Sequence, residues 1–406
     1  LHSEKVVKIK VFDNKLEGLR GLCAIVVAIF HVFSFNFFGA SKASFFWPVM
    51  HIQFAHIAVL IFFIISGYVI GASHFNESFN LNNVKNYLKK RFVRLYPMYL
   101  ISLAISIIFG YSLFSTPQIL GHFLFLQEFF VKTISSNPVL WSLSYEVFYY
   151  LIFLCLWAIH KKTNNFYLNA AFIGVVLCLI FYSNTAINPL LIGWGFWLVG
   201  LYISSLKDIS IDEKFDKKAI LGYFLVLLAT YQLQSGGFFL RLIKLSSDEE
   251  RQINLPDLIF IPICALIVIE ITCKKFKNVN LLKLVVFAIP AINIIALLYF
   301  KHDILGNENW VYVVAFFLLS ILMLFFKSSP YSFEKISFSG RMSYAIYIYH
   351  FPIGFFLSIY LSNHLTGIPL FVIGLFCWVI LTIGLSYFTE IKFQPFIKKL
   401  LLKSHS

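Results

Sequence analysis

Residues Gly18–Phe38 read GLRGLCAIVVAIFHVFSFNFF, an apolar run holding two ionisable side chains, Arg20 near its start and His31 in its second half. At 1.5 Å per residue, a helix of this length spans about 30 Å, the thickness of a bilayer's hydrocarbon core. A basic segment precedes the run, as in a secretory leader, but the run is long enough to cross the membrane and reads as a retained helix. Further runs of the same kind fall at 54–74, 92–113, 141–160, 166–184, 187–206, 219–233, 256–273, 281–300, 309–326, 342–361 and 366–389. A shorter apolar stretch, 117–131, lies between the third and fourth. The expected fold is an all-α polytopic membrane protein of about twelve transmembrane helices, or ten if one pair is re-entrant. It forms a single transmembrane domain over residues 1–406, with no appended soluble domain.

Composition supports this class. Hydrophobic residues make up 59% of the chain and charged residues 13%, against about 45–50% and about 25% in soluble domains. The 48 phenylalanines suit lipid-facing helices. The net charge of +14 would suit a nucleic-acid binder, but the basic residues are scattered between apolar runs and form no continuous patch, so no nucleic-acid partner is expected. With alternating spans, 27 of the 33 Lys and Arg residues fall on the side that holds the N-terminus. The positive-inside rule makes that side cytoplasmic and puts both termini there. The bacterial inner membrane is the expected location. The six cysteines lie in or beside apolar runs, with neither a C-x-x-C nor a metal-ligand spacing, so neither disulfides nor a zinc site is expected.

Ionisable side chains at bilayer depth are costly and mark candidate sites. His31 lies eleven residues beyond Arg20, about 16 Å deeper along a helix and close to the midplane. Imidazole is suited to take or give a proton near neutral pH; the plainer alternative is a packing hydrogen bond between helices. Arg91 and Arg94, three apart at the expected cytoplasmic start of the third helix, share a face. Two guanidinium groups at a helix N-terminus would suit a phosphate group; the alternative is the ordinary positive-inside flank. Glu146 and Tyr150 share a face toward the outer leaflet, and Ser144 joins them only if it lies in the first turn. The eleventh run carries Tyr344, Tyr347 and His350 at intervals of three, a polar seam that serves either packing or a site, with Pro352 bending the helix just beyond. His51, His56 and His122 read as ordinary interfacial residues on the outer side.

Together these segments resemble the membrane acyltransferase-3 family over nearly the whole chain. The resemblance rests on Arg20 and His31, with ten residues between them, and on Arg-x-x-Arg at Arg91 and Arg94. It continues in Ser-x-Glu-x-x-x-Tyr at Ser144, Glu146 and Tyr150, in Gly-x-x-Ser-Tyr-x-x-Tyr-x-x-His from Gly340 to His350, and in Tyr-x-x-Glu at Tyr387 and Glu390. The resemblance implies transfer of an acyl group, usually acetyl from acetyl-CoA, to a hydroxyl of a sugar or surface glycan. Under it, His31 and Glu146 are the catalytic candidates, Arg20, Arg91 and Arg94 bind the donor's phosphates, and Ser144, Tyr150, Tyr347 and His350 support the substrates. No permanently bound cofactor and no metal are implied; acetyl-CoA or another acyl-CoA is the donor, and a carbohydrate is the acceptor. The family commonly has about ten spans, so this chain is expected to carry an extra pair, within 219–300. A twelve-helix secondary transporter is the rival class, but no half-to-half echo of the kind such transporters show is visible. An inactive acyltransferase-like protein is the third reading.

Overall fold

The computed structural model describes residues 2–35, 37, 54–74, 77–110, 113–158, 170, 174–176, 179, 188–206, 215–245, 253–272, 278–299, 310–325, 330–331 and 334–402. It is helical almost throughout. In chain order the helices are α1 (His2–Val32), α2 (Phe54–His74), α3 (Leu81–Gly110), α4 (Thr116–Phe123), α5 (Trp141–Ala158) and α6 (Asn188–Ser205). There follow α7 (Lys217–Gln232), α8 (Ser235–Leu242), α9 (Ile261–Thr272), α10 (Val279–Tyr299), α11 (Trp310–Phe325) and α12 (Glu334–Arg341). The last three are α13 (Ser343–Ser362), α14 (Gly367–Tyr387) and α15 (Gln394–Leu402). Short 3-10 turns, Pro138–Leu140 and Leu255–Phe260, lead into α5 and α9. A two-residue antiparallel pairing, β1 (Phe215–Asp216) with β2 (Pro330–Tyr331), leaves the all-helical class intact.

Seven described segments are long and apolar enough to cross a membrane, among them Ala55–His74, Leu81–Gly110, Pro138–Ala158 and Ser343–Ser362. Two shorter apolar helices cover Ile220–Gln232 and Val313–Leu324. The chain is an integral membrane protein. Every apolar run of the sequence coincides with a described helix except the one at 166–184, most of which lies outside the described residues. The 117–131 stretch is the short α4 followed by tight turns, with Phe125 and Glu128 at positive φ.

The chain divides into two compact units. The first comprises Leu1–Leu16, Leu60–Phe75 and Lys161–Lys335. Within it α7 packs along α11, and α9 packs on α6, α7 and α10. A Cβ at Gly67 would strike the Trp197 carbonyl, and one at Gly200 the Ile64 carbonyl, so α2 and α6 cross backbone to backbone. Small residues allow such close approach in membranes, where dispersion contacts hold helices together.

The second unit comprises Glu17–Val59, Asn76–His160 and Ile336–Ser406. Helix α13 is its centre, packed against α14, α3 and the 138–140 turn. A Cβ at Gly340 would overlap the Glu17 carbonyl, and one at Gly21 the Ser339 hydroxyl and the Gly340 amide, so α1 touches the end of α12 directly. Pro352 lies inside α13 and cannot donate to the Ile348 carbonyl one turn back. That carbonyl is not left bare. Ser102 Oγ donates to it at 2.6 Å and Asn137 Nδ2 at 3.2 Å, the repair a proline in a membrane helix needs.

Candidate functional site

All the sequence-selected residues fall in the second unit, and they gather in three groups. The innermost is a pair of imidazoles. His31, on the last turn of α1, is half-buried, whereas His350 on α13 is fully buried. His31 Nδ1 lies 3.0 Å from His350 Nε2, and the ring centroids are 5.1 Å apart with planes 25° from parallel. His350 Nδ1 lies 3.0 Å from the Ile346 carbonyl, and Trp378 Nε1 donates to the His350 carbonyl at 2.8 Å. Phe351 presents its edge to the His31 ring. Sequence placed the two histidines at similar depth; the structure puts them in contact.

The rest of the polar seam on α13 diverges. Tyr344 donates to the Leu95 carbonyl at 3.1 Å. Tyr347 OH is 2.7 Å from Ser142 Oγ and donates to the Val139 carbonyl at 3.1 Å. Ser144, favoured from the sequence, turns back within its own helix and donates to the Trp141 carbonyl at 2.7 Å. The residue that reaches Tyr347 is Ser142, missed from the sequence. Its signal was present, since Ser142, Glu146 and Tyr150 are successively four apart and so share one face of α5.

The second group is cationic. Arg20 Nη1 lies 2.6 Å from Glu17 Oε1. Arg94 Nη1 lies 2.7 Å from Glu390 Oε1 and is within electrostatic reach of Glu17, so the two pairs neighbour one another. Glu390 sits in a single π-helical stretch, Phe388–Phe393, which joins α14 to α15. Its other carboxylate oxygen accepts the Ala345 amide at 3.1 Å. That amide is one of the unpaired donors of the first turn of α13, where negative charge is favoured. Glu390 therefore caps α13 while holding Arg94.

The third group corrects two expectations. Arg91 lies over the rings of Tyr87 and Tyr150, 5.7 Å from each centroid, and its Nε is buried without a hydrogen-bond partner among the described residues. Tyr150 OH donates to Glu146. Glu146 and Tyr150 thus lie beside Arg91 and not in an outer cluster of their own. The misplacement came from taking the apolar run for the helix. Helix α3 begins at Leu81, eleven residues before that run, so Arg91 and Arg94 stand about three turns into it and not at its N-terminus. Any grip on a phosphate rests on their side chains and not on free helix-end amides.

His122, read as an ordinary interfacial residue, is instead a buried connector. Its Nδ1 donates to the Gln118 carbonyl at 2.7 Å, and its Nε2 accepts the Ile134 amide at 3.2 Å. Burial pushes its pKa down, against the weaker opposing effects of the Gln118 carbonyl and the Glu128 charge. His56 is half-buried on α2, and His51 lies outside the described residues. No group of three His, Cys, Asp or Glu side chains suited to a metal occurs among the described residues.

A bundle with membrane-spanning helices thus brings an imidazole pair and several arginines together in one unit. The chain is a member of the acyltransferase-3 family: the family's acyltransferase domain matches residues 13–387. It is similar to the acyltransferase MdmB of Streptomyces mycarofaciens, at 26% identity over 185 residues. Those residues make up 42% of this chain and 46% of the relative, so the match spans less than half of that protein's length. No solved structure matches the chain.

Proposed function

We propose that the protein is a transmembrane O-acyltransferase that moves an acyl group, acetyl in the first instance, from cytoplasmic acyl-CoA to a hydroxyl of a carbohydrate acceptor. A cell-surface polysaccharide or a lipid-linked glycan is the acceptor class that the resemblance favours. In this reading the chain crosses the bacterial inner membrane about twelve times, with both termini in the cytoplasm. The observation that carries the proposal is the His31–His350 pair. It offers a half-accessible ring, oriented by a buried one, about three turns from the nearest arginine on the same helix.

The donor's phosphates dock against Arg20, Arg91 and Arg94, and its pantetheine arm reaches inward along α1. Charge-assisted contacts from guanidinium to phosphate supply the hold. His31 acts as general base on the acceptor hydroxyl, or carries the acyl group briefly as a nucleophile. Glu146, tied through Tyr150 to the Arg91 side, orients the transfer or balances charge on the imidazole. Ser144 and Tyr347 support the helices that line the path, and acyl-CoA is a substrate and not a resident cofactor.

The test is an assay of purified protein in detergent with radiolabelled acetyl-CoA. Release of CoA, faster with a crude glycan acceptor present and absent in His31→Ala, is the expected result. A folded wild-type protein that binds neither acetyl-CoA nor a longer acyl-CoA would overturn the proposal.

A further inference from the structure

We infer that His350 is a positioning residue: it holds His31 in the tautomer whose Nε2 carries the lone pair, so that the base of the transfer is Nε2 and not Nδ1. The inference rests on the proposed transfer for its meaning, whereas the tautomer follows from the hydrogen bonds of the two rings.

A carbonyl oxygen only accepts, so the 3.0 Å contact between His350 Nδ1 and the Ile346 carbonyl requires a proton on Nδ1. A neutral imidazole carries one N–H, so His350 Nε2 is then an acceptor. A doubly protonated ring would place a positive charge on a fully buried residue, a costly state without a counter-ion. The donor that meets His350 Nε2 at 3.0 Å must therefore be His31 Nδ1–H. That leaves the lone pair of His31 on Nε2, the nitrogen on the far side of the ring from His350. The reverse arrangement, with His350 Nε2 as donor, would set a bare Nδ1 against the Ile346 carbonyl, acceptor against acceptor. The backbone under His350 is held on both sides of the residue. Trp378 donates to its carbonyl, and Ser102 and Asn137 occupy the carbonyl that Pro352 leaves open.

The chemistry follows with all atoms in place. The acceptor hydroxyl gives its proton to His31 Nε2 as its oxygen attacks the thioester carbonyl carbon. The tetrahedral intermediate collapses, the C–S bond breaks, and the departing thiolate takes the proton back from Nε2. The products are an ester and free CoA, and the imidazole returns to its starting tautomer. While His31 is positively charged, its Nδ1–H still donates to the neutral His350 Nε2. His350 plays the part that a carboxylate plays in hydrolase triads, with a ring in place of a charge.

The expected tautomer is distinctive, because free imidazole side chains favour the Nε2–H form. Protein labelled with 15N-histidine in lipid bilayers would be examined by solid-state NMR, with the His31 nitrogens assigned by their loss in His31→Gln. The expected spectrum shows a protonated Nδ1 and a bare Nε2 in the wild type. A neutral His31 protonated at Nε2 would overturn the inference, whatever the activity. In His350→Leu the Val27 carbonyl, one turn back on α1, is left as an acceptor beside the His31 ring. The ring should still shift to the Nε2–H form, and turnover should fall about a hundredfold or more while the donor KM stays within about twofold. An unchanged tautomer would assign it to Val27 and overturn the role of His350. His350→Gln, whose side-chain oxygen can still accept from Nδ1–H, should restore both tautomer and most of the turnover. A Gln variant as slow as the Leu variant, with the tautomer restored, would count against the positioning role. Failure of the proposed function would look different, as a correct tautomer in a protein that never releases CoA.

Discussion

At the residue scale, the sequence exposed the side chains that pay most to be in a membrane and hid their partners. His31, Arg20, Arg91 and Arg94 stood out because ionisable groups in apolar runs have few innocent explanations. That His350 meets His31 depends on how α1 and α13 pack, which no local spacing encodes. His31→Ala should abolish CoA release while leaving CoA binding within about twofold, because the arginines lie elsewhere; isothermal titration beside the activity assay checks both. His31→Gln keeps a polar side chain but cannot shuttle a proton, and substantial turnover in it would return the catalytic role to Glu146 or His350. The arginines now call for unequal tests. Arg91→Ala should weaken CoA binding by about tenfold or more, the worth of a charge-assisted contact of about 1.5–3 kcal/mol. Unchanged affinity in that folded variant would leave Arg91 as membrane-flanking charge. Arg94→Ala is a poorer probe, since it strands the Glu390 carboxylate, whose side chain is only 2% exposed. Removing one partner of such a pair costs about 3–5 kcal/mol, so Arg94→Ala should lower thermal stability in detergent and Glu390→Gln in the same chain should recover much of it. A lone Arg94→Ala as stable as wild type would show that the pair does not hold the fold.

At the element scale, existence was easier to read than extent. Apolar runs located the helices, but a helix carries on past its apolar part wherever water can take over the outer face. Polar Asn82, Asn83 and Lys85 thus form the first turns of α3, and Arg91 was read eleven residues too near its start. The π-helical stretch at Phe388–Phe393 left no mark on hydrophobic periodicity, although it aims Glu390 at the start of α13. Such stretches often occur at functional sites. His122 shows the same limit on a short element, because its two partners come from α4 and from the loop before α5. Its neutral form is the one in use, and its pKa is lowered on folding from an ordinary value of 6.5. Its contribution to stability is therefore fully present above about 6.5 and is lost as pH falls through the depressed folded value. Melting temperatures taken from pH 8 downward should stay level and then drop below about 6.5, and His122→Gln should flatten that drop. An acid limb of the same steepness in the variant would assign it to other groups.

At the scale of the whole molecule, hydropathy and charge together made the class legible early, and the family match to residues 13–387 agrees with it. The division into two units was not legible, because the first unit gathers chain from three separated stretches and no linker or change of composition marks the joins. The expected topology rests on the 27 basic residues assigned to one side. Single cysteines placed at either terminus should stay unlabelled by an impermeant maleimide in intact cells, and one placed between the apolar runs 219–233 and 256–273, on the expected outer side, should react. Labelling of a terminus from outside would reverse the sides assigned to donor and acceptor. Transporters of comparable size work by rocking one bundle against another, and the contact between Gly340 and Glu17 limits how far α1 could move within the second unit. Helix α1 is pinned twice, backbone to backbone at Gly340 and ring to ring at His350. A rod held at two points along its length can neither slide nor swivel without breaking one of them. If the proposed transfer holds, the substrates would have to come to the imidazoles, because moving α1 within this unit would break one of the two contacts.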